Sequence, residues 1–257
     1  MEFIDQLDRK ISLPTLPKRI ISLVPSQTEL LVDLGLRDKL VGITKFCVHP
    51  SGLKNEKLVV GGTKAVDFEK VRSLRPDIII CNKEENTIEM VRELENIAPI
   101  WISDIVTIKD SLIAIEQLGE IFKAQGKASE IIKKISSEVS NHKEFMLGVE
   151  PKKVLYLIWK KPYMAAGRAT FIDSILRLNN FENVCESQLG RYPEVGVSHF
   201  EKADLILLST EPFPFKLSDV EAIQSKFLAK VKLVDGEFFS WYGSRLINAF
   251  SYFKTLR

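Results

Sequence analysis

His49 is the side chain in this sequence best placed to do chemistry. It lies in KFCVHP, Lys45–Pro50, two residues after Cys47. Residues two apart on an extended segment face the same side, and a neutral imidazole beside a thiolate is a donor pair for a transition metal. No second histidine or carboxylate stands at ligand spacing, so the stretch reads equally as pocket lining or as a turn. His142 and His199 fall on or beside predicted helices and read as structural. Ser26 follows a predicted strand, but VPSQT lacks the glycines of a nucleophile elbow, so Ser26 reads as a helix N-cap with Glu29 completing a capping box. The sequence has no Walker A loop, GxGxxG or HExxH pattern. An enzyme is not expected.

The other reactive or recognising side chains are aromatic and charged, and they cluster just past predicted strands. Phe46 and His49 follow LVGIT, Thr63 and Lys64 follow KLVVGG, and Lys83, Glu84 and Glu85 follow DIIICN. Later in the chain Trp159, Lys161 and Tyr163 follow KVLYLI; Arg191 and Tyr192 precede Pro193; Trp241, Tyr242 and Arg245 lie in FFSWYGSR. Broad aromatic faces suit a flat, partly apolar macrocycle, and Lys and Arg suit its carboxylate or phosphate groups. Trp101, inside a predicted strand, reads as core.

These loops need a scaffold, and the period of the apolar residues supplies one. From Gly126 to Gly148 there is neither Pro nor an internal Gly, and Ala128, Ile131, Ile132, Ile135, Val139 and Phe145 recur at helical spacing. That predicts one amphipathic helix of about 30 Å over residues 126–148. On both sides, short β-branched runs alternate with helical patterns, which predicts parallel sheets faced by helices. The expected organisation is an α/β lobe over 1–125, the connecting helix, and a second α/β lobe over 149–257. A helix without a hinge makes the connection rigid. Open α/β sheets bind ligands at the carboxyl ends of their strands, so a cleft between the lobes is expected.

Composition excludes several classes. The chain has 257 residues, 45% hydrophobic and 27% charged, with a formal net charge of +2. That length sustains one large core or two, and the balanced charge argues against nucleic acid or an anionic membrane as the main partner. Cys47, Cys81 and Cys185 cannot all pair and show no CxxC spacing, which fits a reducing compartment. The N-terminal MEFIDQLDRKISLPTLPKR has no apolar h-region. As written, the chain is expected in the cytoplasm, or in the periplasm or at the cell surface if translation starts upstream.

Two stretches echo each other: FEK at Phe68–Lys70 leads into RPDIIICN, and FEK at Phe200–Lys202 leads into ADLILLS. Together with RIISLVPSQTELLVDLGLRDKLVGIT, VGGTKAVDFEKVRSLRPDIIICNKEEN, LIWKKPYMAAGRATFIDSIL, RYPE and LLSTEPFPF, these residues resemble the helical-backbone metal receptors, the substrate-binding proteins of cobalamin and iron-chelate importers. The resemblance runs from about Lys18 to the C-terminus. It implies a class III binding-protein fold, two small lobes joined by one rigid helix, with no catalysis and no intrinsic cofactor. It also implies a monomer that carries a cobalt- or iron-containing chelate of the cobalamin, siderophore or haem class to an ABC permease and ATPase. The alternatives are a cytoplasmic sensor or carrier on the same fold and an unrecognised enzyme. In such receptors one acidic residue per lobe docks on the importer; Glu69 matches the first, and Glu201 stands near the place of the second.

Overall fold

The computed structural model describes Met1–Arg257, and the chain divides into two units. Unit 1 holds Met1–Ile105, Lys109–Ser136 and Trp241–Ile247; unit 2 holds Val106–Ile108, Ser137–Ser240 and Asn248–Arg257. The segment Trp241–Ile247 therefore groups with the first half of the chain, although 149–257 was expected to form one lobe. Its residues close unit 1 through contacts described below.

Unit 1 opens with a hairpin, β1 (Glu2–Ile4) and β2 (Lys10–Ser12), and continues with β3 (Ile20–Ser22), α1 (Pro25–Asp33) and β4 (Leu40–Thr44). Then come α2 (Leu53–Glu56), β5 (Leu58–Gly61), α3 (Phe68–Ser73), β6 (Ile78–Asn82), α4 (Ile88–Glu95), β7 (Ile100–Ser103) and α5 (Ile108–Ile121). The five strands β5-β4-β3-β6-β7 lie side by side and all pair in parallel. Every residue of β6 and β7 is buried, as expected of strands covered on both faces. Ile21, Leu23, Val60, Ile79, Cys81, Leu94 and Ile100 pack into one apolar cluster. The N-terminal hairpin shields the edge strand β7: the Gln6 amide donates to the Ile102 carbonyl at 3.2 Å, and the Ile102 amide donates to Asp5 Oδ2 at 3.2 Å. An open strand edge is a pairing hazard, and this edge is covered.

α6 (Gln125–Phe145) is one unbroken helix of 21 residues, its part up to Ser136 in unit 1 and the rest in unit 2. Unit 2 adds β8 (Lys152–Trp159), β9 (Met164–Ala165), α7 (Phe171–Leu178), β10 (Phe181–Asn183), α8 (Val197–Lys202) and β11 (Leu205–Ser209). It ends with α9 (Leu217–Gln224), β12 (Lys230–Val234), α10 (Gly236–Ser240) and α11 (Leu246–Lys254). Strands β10-β8-β11-β12 are parallel, and β9 turns back antiparallel on the end of β8. The side chains on one face of this sheet, Leu155, Leu157, Ile206 and Leu208, pack with Phe200, Phe215 and Val231.

The sequence echo has a structural counterpart. Asp77, heading β6, accepts the Lys18 and Arg19 amides on Oδ2 at 2.7 and 2.9 Å, while its own amide donates to the Arg19 carbonyl at 2.8 Å. Asp204, heading β11, accepts the Lys153 amide on Oδ2 at 2.8 Å, and its amide donates to the Lys153 carbonyl at 2.8 Å. In each unit an aspartate thus clamps the strand that begins the sheet. Asp67, Thr87 and Thr170 cap helix starts with their side chains; Thr170 Oγ1 accepts the Asp173 amide at 3.1 Å. The expected cap at Ser26 does not form: Val24 is the N-cap of α1 without a side-chain bond, and Pro25 takes the first helical position. Glu29 is released for another partner.

Candidate functional site

In unit 1 the chain leaves β3 toward β4 and β5 on one side, then returns to β6 and β7 on the other. The carboxyl ends of β3 and β6 are therefore a topological switch point, the place where open α/β sheets form a crevice. The N-terminus of α1 and the loop Asn82–Asn86 meet there. Asn82 Oδ1 accepts the Glu84 and Glu85 amides at 2.8 and 3.1 Å, and the Asn86 side-chain nitrogen donates to the Thr63 carbonyl at 2.8 Å. This ties the Glu84–Glu85 loop to the Thr63–Lys64 loop, and Lys64 Nζ donates to the Glu84 carbonyl. Burial holds the Glu85 carboxyl above the usual carboxylate range, against the pull of Lys64 and a hydrogen bond from Thr63. Thr63, Lys64 and Glu85, predicted separately, are brought together.

Trp241, Tyr242 and Arg245 join this same end of unit 1. Arg245 makes a two-pronged pair with Glu29 of α1, Nε to Oε2 at 2.9 Å and Nη2 to Oε1 at 2.8 Å. The Arg245 guanidinium carbon lies 4.8 Å from the Trp241 ring centre, and the His49 ring meets Trp241 edge-on at 5.4 Å and 79°. Gly243, at φ +91°, donates its amide to Ser111 Oγ at 3.0 Å, and a Cβ there would meet Leu30 Cβ at 3.3 Å. Tyr242 is buried, and that burial raises its pKa far above that of free tyrosine. Trp241, at 7% exposure, is likewise buried, unlike the open aromatic face that the sequence suggested.

The pairing of Cys47 with His49 does not survive folding. The chain turns at Lys45–Phe46 and is irregular over 47–49 rather than a strand, so alternation no longer puts the two side chains together. Cys47 points inward, its sulfur 3.1 Å from Thr28 Oγ1 and 3.2 Å from Thr44 Oγ1, and burial raises its pKa. No three His, Cys, Asp or Glu side chains converge as a metal site. Phe46 on the same turn is 49% exposed, with Lys45 Nζ 5.1 Å from its ring centre.

In unit 2 the switch point lies between β8 and β11. Trp159, at the end of β8, is 41% exposed and meets Phe213 edge-on at 5.5 Å; Phe213 in turn leans on Phe215 at 4.8 Å. Phe213 was not singled out from the sequence, where it stands between Pro212 and Pro214 and carries no periodic signal. Tyr192 is 39% exposed on a loop held by the Gly167 amide, which donates to the Arg191 carbonyl at 2.7 Å. Gly167 is required: a Cβ there would lie 2.4 Å from the Gly190 carbonyl oxygen. Tyr163 packs against Phe200 at 5.3 Å and belongs to the apolar cluster, so it supports the sheet. Lys160 pairs with Asp219. Glu69 on α3, its side chain 90% exposed, and Glu201 on α8 both face solvent.

Two α/β units with switch points rimmed by aromatic and cationic residues define a class III solute-binding architecture. The fold of the periplasmic vitamin B12 binding protein BtuF of Vibrio cholerae superposes with a TM-score of 0.82 at 21% identity, covering 94% of this chain and 97% of that one. The sequence profile described as "Periplasmic binding protein" matches residues 20–230. The chain belongs to that family, and is a binding protein rather than an enzyme. Among curated relatives, the uncharacterized ABC transporter substrate-binding lipoprotein YvrC of Bacillus subtilis (strain 168) is 28% identical over 194 residues, 72% of this chain and 61% of its own length. This chain thus spans less than two thirds of that relative. The vitamin B12-binding protein of Pectobacterium carotovorum subsp. carotovorum (strain PC1) is 23% identical over 238 residues, 91% of this chain and 86% of its own. The names of these relatives, a lipoprotein and a periplasmic protein among them, lend no support to the cytoplasmic expectation. No helix is long and apolar enough to cross a membrane.

Proposed function

We propose that this chain binds a preformed metal macrocycle of the corrinoid class and serves as the solute-binding component of an ABC-type importer. The observation that carries this reading is the chemistry of the two switch points. They offer half-exposed aromatic rings, Phe46 in unit 1 and Trp159 with Phe213 in unit 2, together with Lys45, Lys64 and Lys161. Rings and cations hold a flat, amide- or carboxylate-fringed ligand, whereas a bare ion needs converging donors. The metal therefore arrives inside its own chelator. His49, Thr63, Glu85, Tyr192 and Arg245 complete the proposed ligand set. Glu69 and Glu201 are the proposed contacts to the permease, because an exposed carboxylate can meet a basic partner without first being freed from a buried pair.

The test is a titration of the purified protein with cyanocobalamin and with hemin, followed by absorbance and calorimetry. Saturable one-to-one binding of cyanocobalamin, tighter than that of hemin, is expected. Binding of hemin alone, or of neither, overturns the corrinoid reading.

A further inference from the structure

We infer that Glu29 is a positioning residue for ligand recognition, acting through Arg245 to set the orientation of Trp241 and His49; this rests on the proposed binding role of unit 1. Four side chains form a series. Glu29 grips Arg245 through two nitrogens, Arg245 lies against Trp241 at 4.8 Å, and Trp241 meets His49 at 5.4 Å. Glu29 and Arg245 stand 216 positions apart in the chain, so no local turn accounts for their meeting.

Stability alone does not explain the pair. The Arg245 and Glu29 side chains are 12% and 19% exposed, and an ion pair taken out of water gains little net stability over an apolar pair of the same shape. Orientation does explain it. Two parallel N–H···O bonds fix the rotation of the guanidinium plane as well as its position, which a single ammonium cannot do. A fixed guanidinium is a platform for an indole ring through cation–π attraction. A fixed indole then presents one geometry to the imidazole edge. Glu29 also lies within electrostatic reach of His49, so its carboxylate bears on the imidazole directly as well as through Arg245 and Trp241.

The anchoring of the neighbouring elements leaves this series as an adjustable part of the site. The Gly243 amide is tied to Ser111, and Tyr242 beside it is buried, so the backbone of the segment stays in place when the ion pair is changed. Cys47 is tied to Thr28, which holds the turn before His49. Loss of Glu29's charge should therefore disturb ring orientation and leave the fold of unit 1 intact.

The experiment compares wild type, Glu29→Gln and Arg245→Lys by three readouts. The chain has three histidines, so their imidazole proton signals can be assigned individually by NMR. Both variants are expected to shift the His49 signal, which sits in the ring current of Trp241, and to leave those of His142 and His199 in place. Cyanocobalamin affinity is expected to fall about tenfold, a difference easily resolved by titration, with the melting temperature nearly unchanged. Arg245→Lys keeps the Glu29 charge and so isolates the route through the guanidinium from the direct pull of Glu29 on His49: an unmoved His49 signal in folded Arg245→Lys overturns the inference, as does a moved signal with unchanged affinity. If Glu29→Gln does not fold, Arg245→Lys carries the same comparison with the charge retained. If wild type itself binds no cyanocobalamin, the proposed function fails, and the His49 signal still decides whether Glu29 sets the rings.

Discussion

His142 Nε2 lies 3.1 Å from Asn179 Oδ1, and the Asn179 side-chain nitrogen already donates to the Ile175 carbonyl at 2.9 Å. The asparagine oxygen is thus the acceptor, and the imidazole carries a proton on Nε2. The ring is fully buried among Phe145, Phe250 and Phe253, with Lys254 and Arg257 nearby. Burial is the main cause that lowers its pKa, and the two cations add to it, against the hydrogen bond to Asn179.

The pH dependence follows in sign. Because the folded pKa is lower than the unfolded one, the unfolded chain binds the extra proton first. Stability is full above the unfolded value, about 6.5 for a free imidazole, and falls as pH drops below it until the folded pKa is passed. The urea midpoint of the protein should decline from pH 7 to pH 5. His142→Gln, which can still donate to Asn179, should flatten that decline; an equal slope in the variant would refute the assignment.

Phe46 and Trp159 are 49% and 41% exposed, so truncating either leaves little cavity. Phe46→Ala and Trp159→Ala should each weaken cyanocobalamin binding by at least about tenfold, the range of an aromatic anchor, with a melting temperature close to wild type. Wild-type affinity in both would place the ligand elsewhere.

Trp241→Ala should behave differently. Its ring is 7% exposed and packed between Arg245 and His49, and removing a buried indole costs about 3 kcal/mol or more. Denaturant unfolding should show this loss, together with weaker ligand binding. A variant as stable as wild type would mean that the ring contributes no packing.

All three thiols are free and buried. Burial raises the pKa of each, that of Cys185 to about 11. Since the thiolate is the reacting species, a thiol reagent at pH 8 should label none of them in the native protein within minutes and all three after denaturation. Rapid labelling of Cys47 in the folded chain would contradict its inward orientation.

The elements were largely legible because their causes are local. The uninterrupted apolar run Ile78–Ile80 and the helical spacing from Ala128 to Phe145 each act within a few residues, through side-chain packing that the sequence displays directly. Class and architecture followed from their alternation. The N-terminal hairpin and α9 escaped notice because each is short, and a segment of three to eight residues carries too little period to stand out.

Which surfaces meet was a different matter. Ser26 and Glu29 have the spacing of a capping box, yet Pro25 begins the helix and Glu29 finds Arg245 instead. Cys47 and His49 alternate like strand neighbours, yet a turn sends one into the core and the other to Trp241. FFSWYGSR shows that aromatic rings and a cation lie together, but not that they return to unit 1. Periodicity encodes which face of an element is apolar; the partner of that face is chosen by packing between residues as distant as Glu29 and Arg245, 216 positions apart, which no local pattern displays.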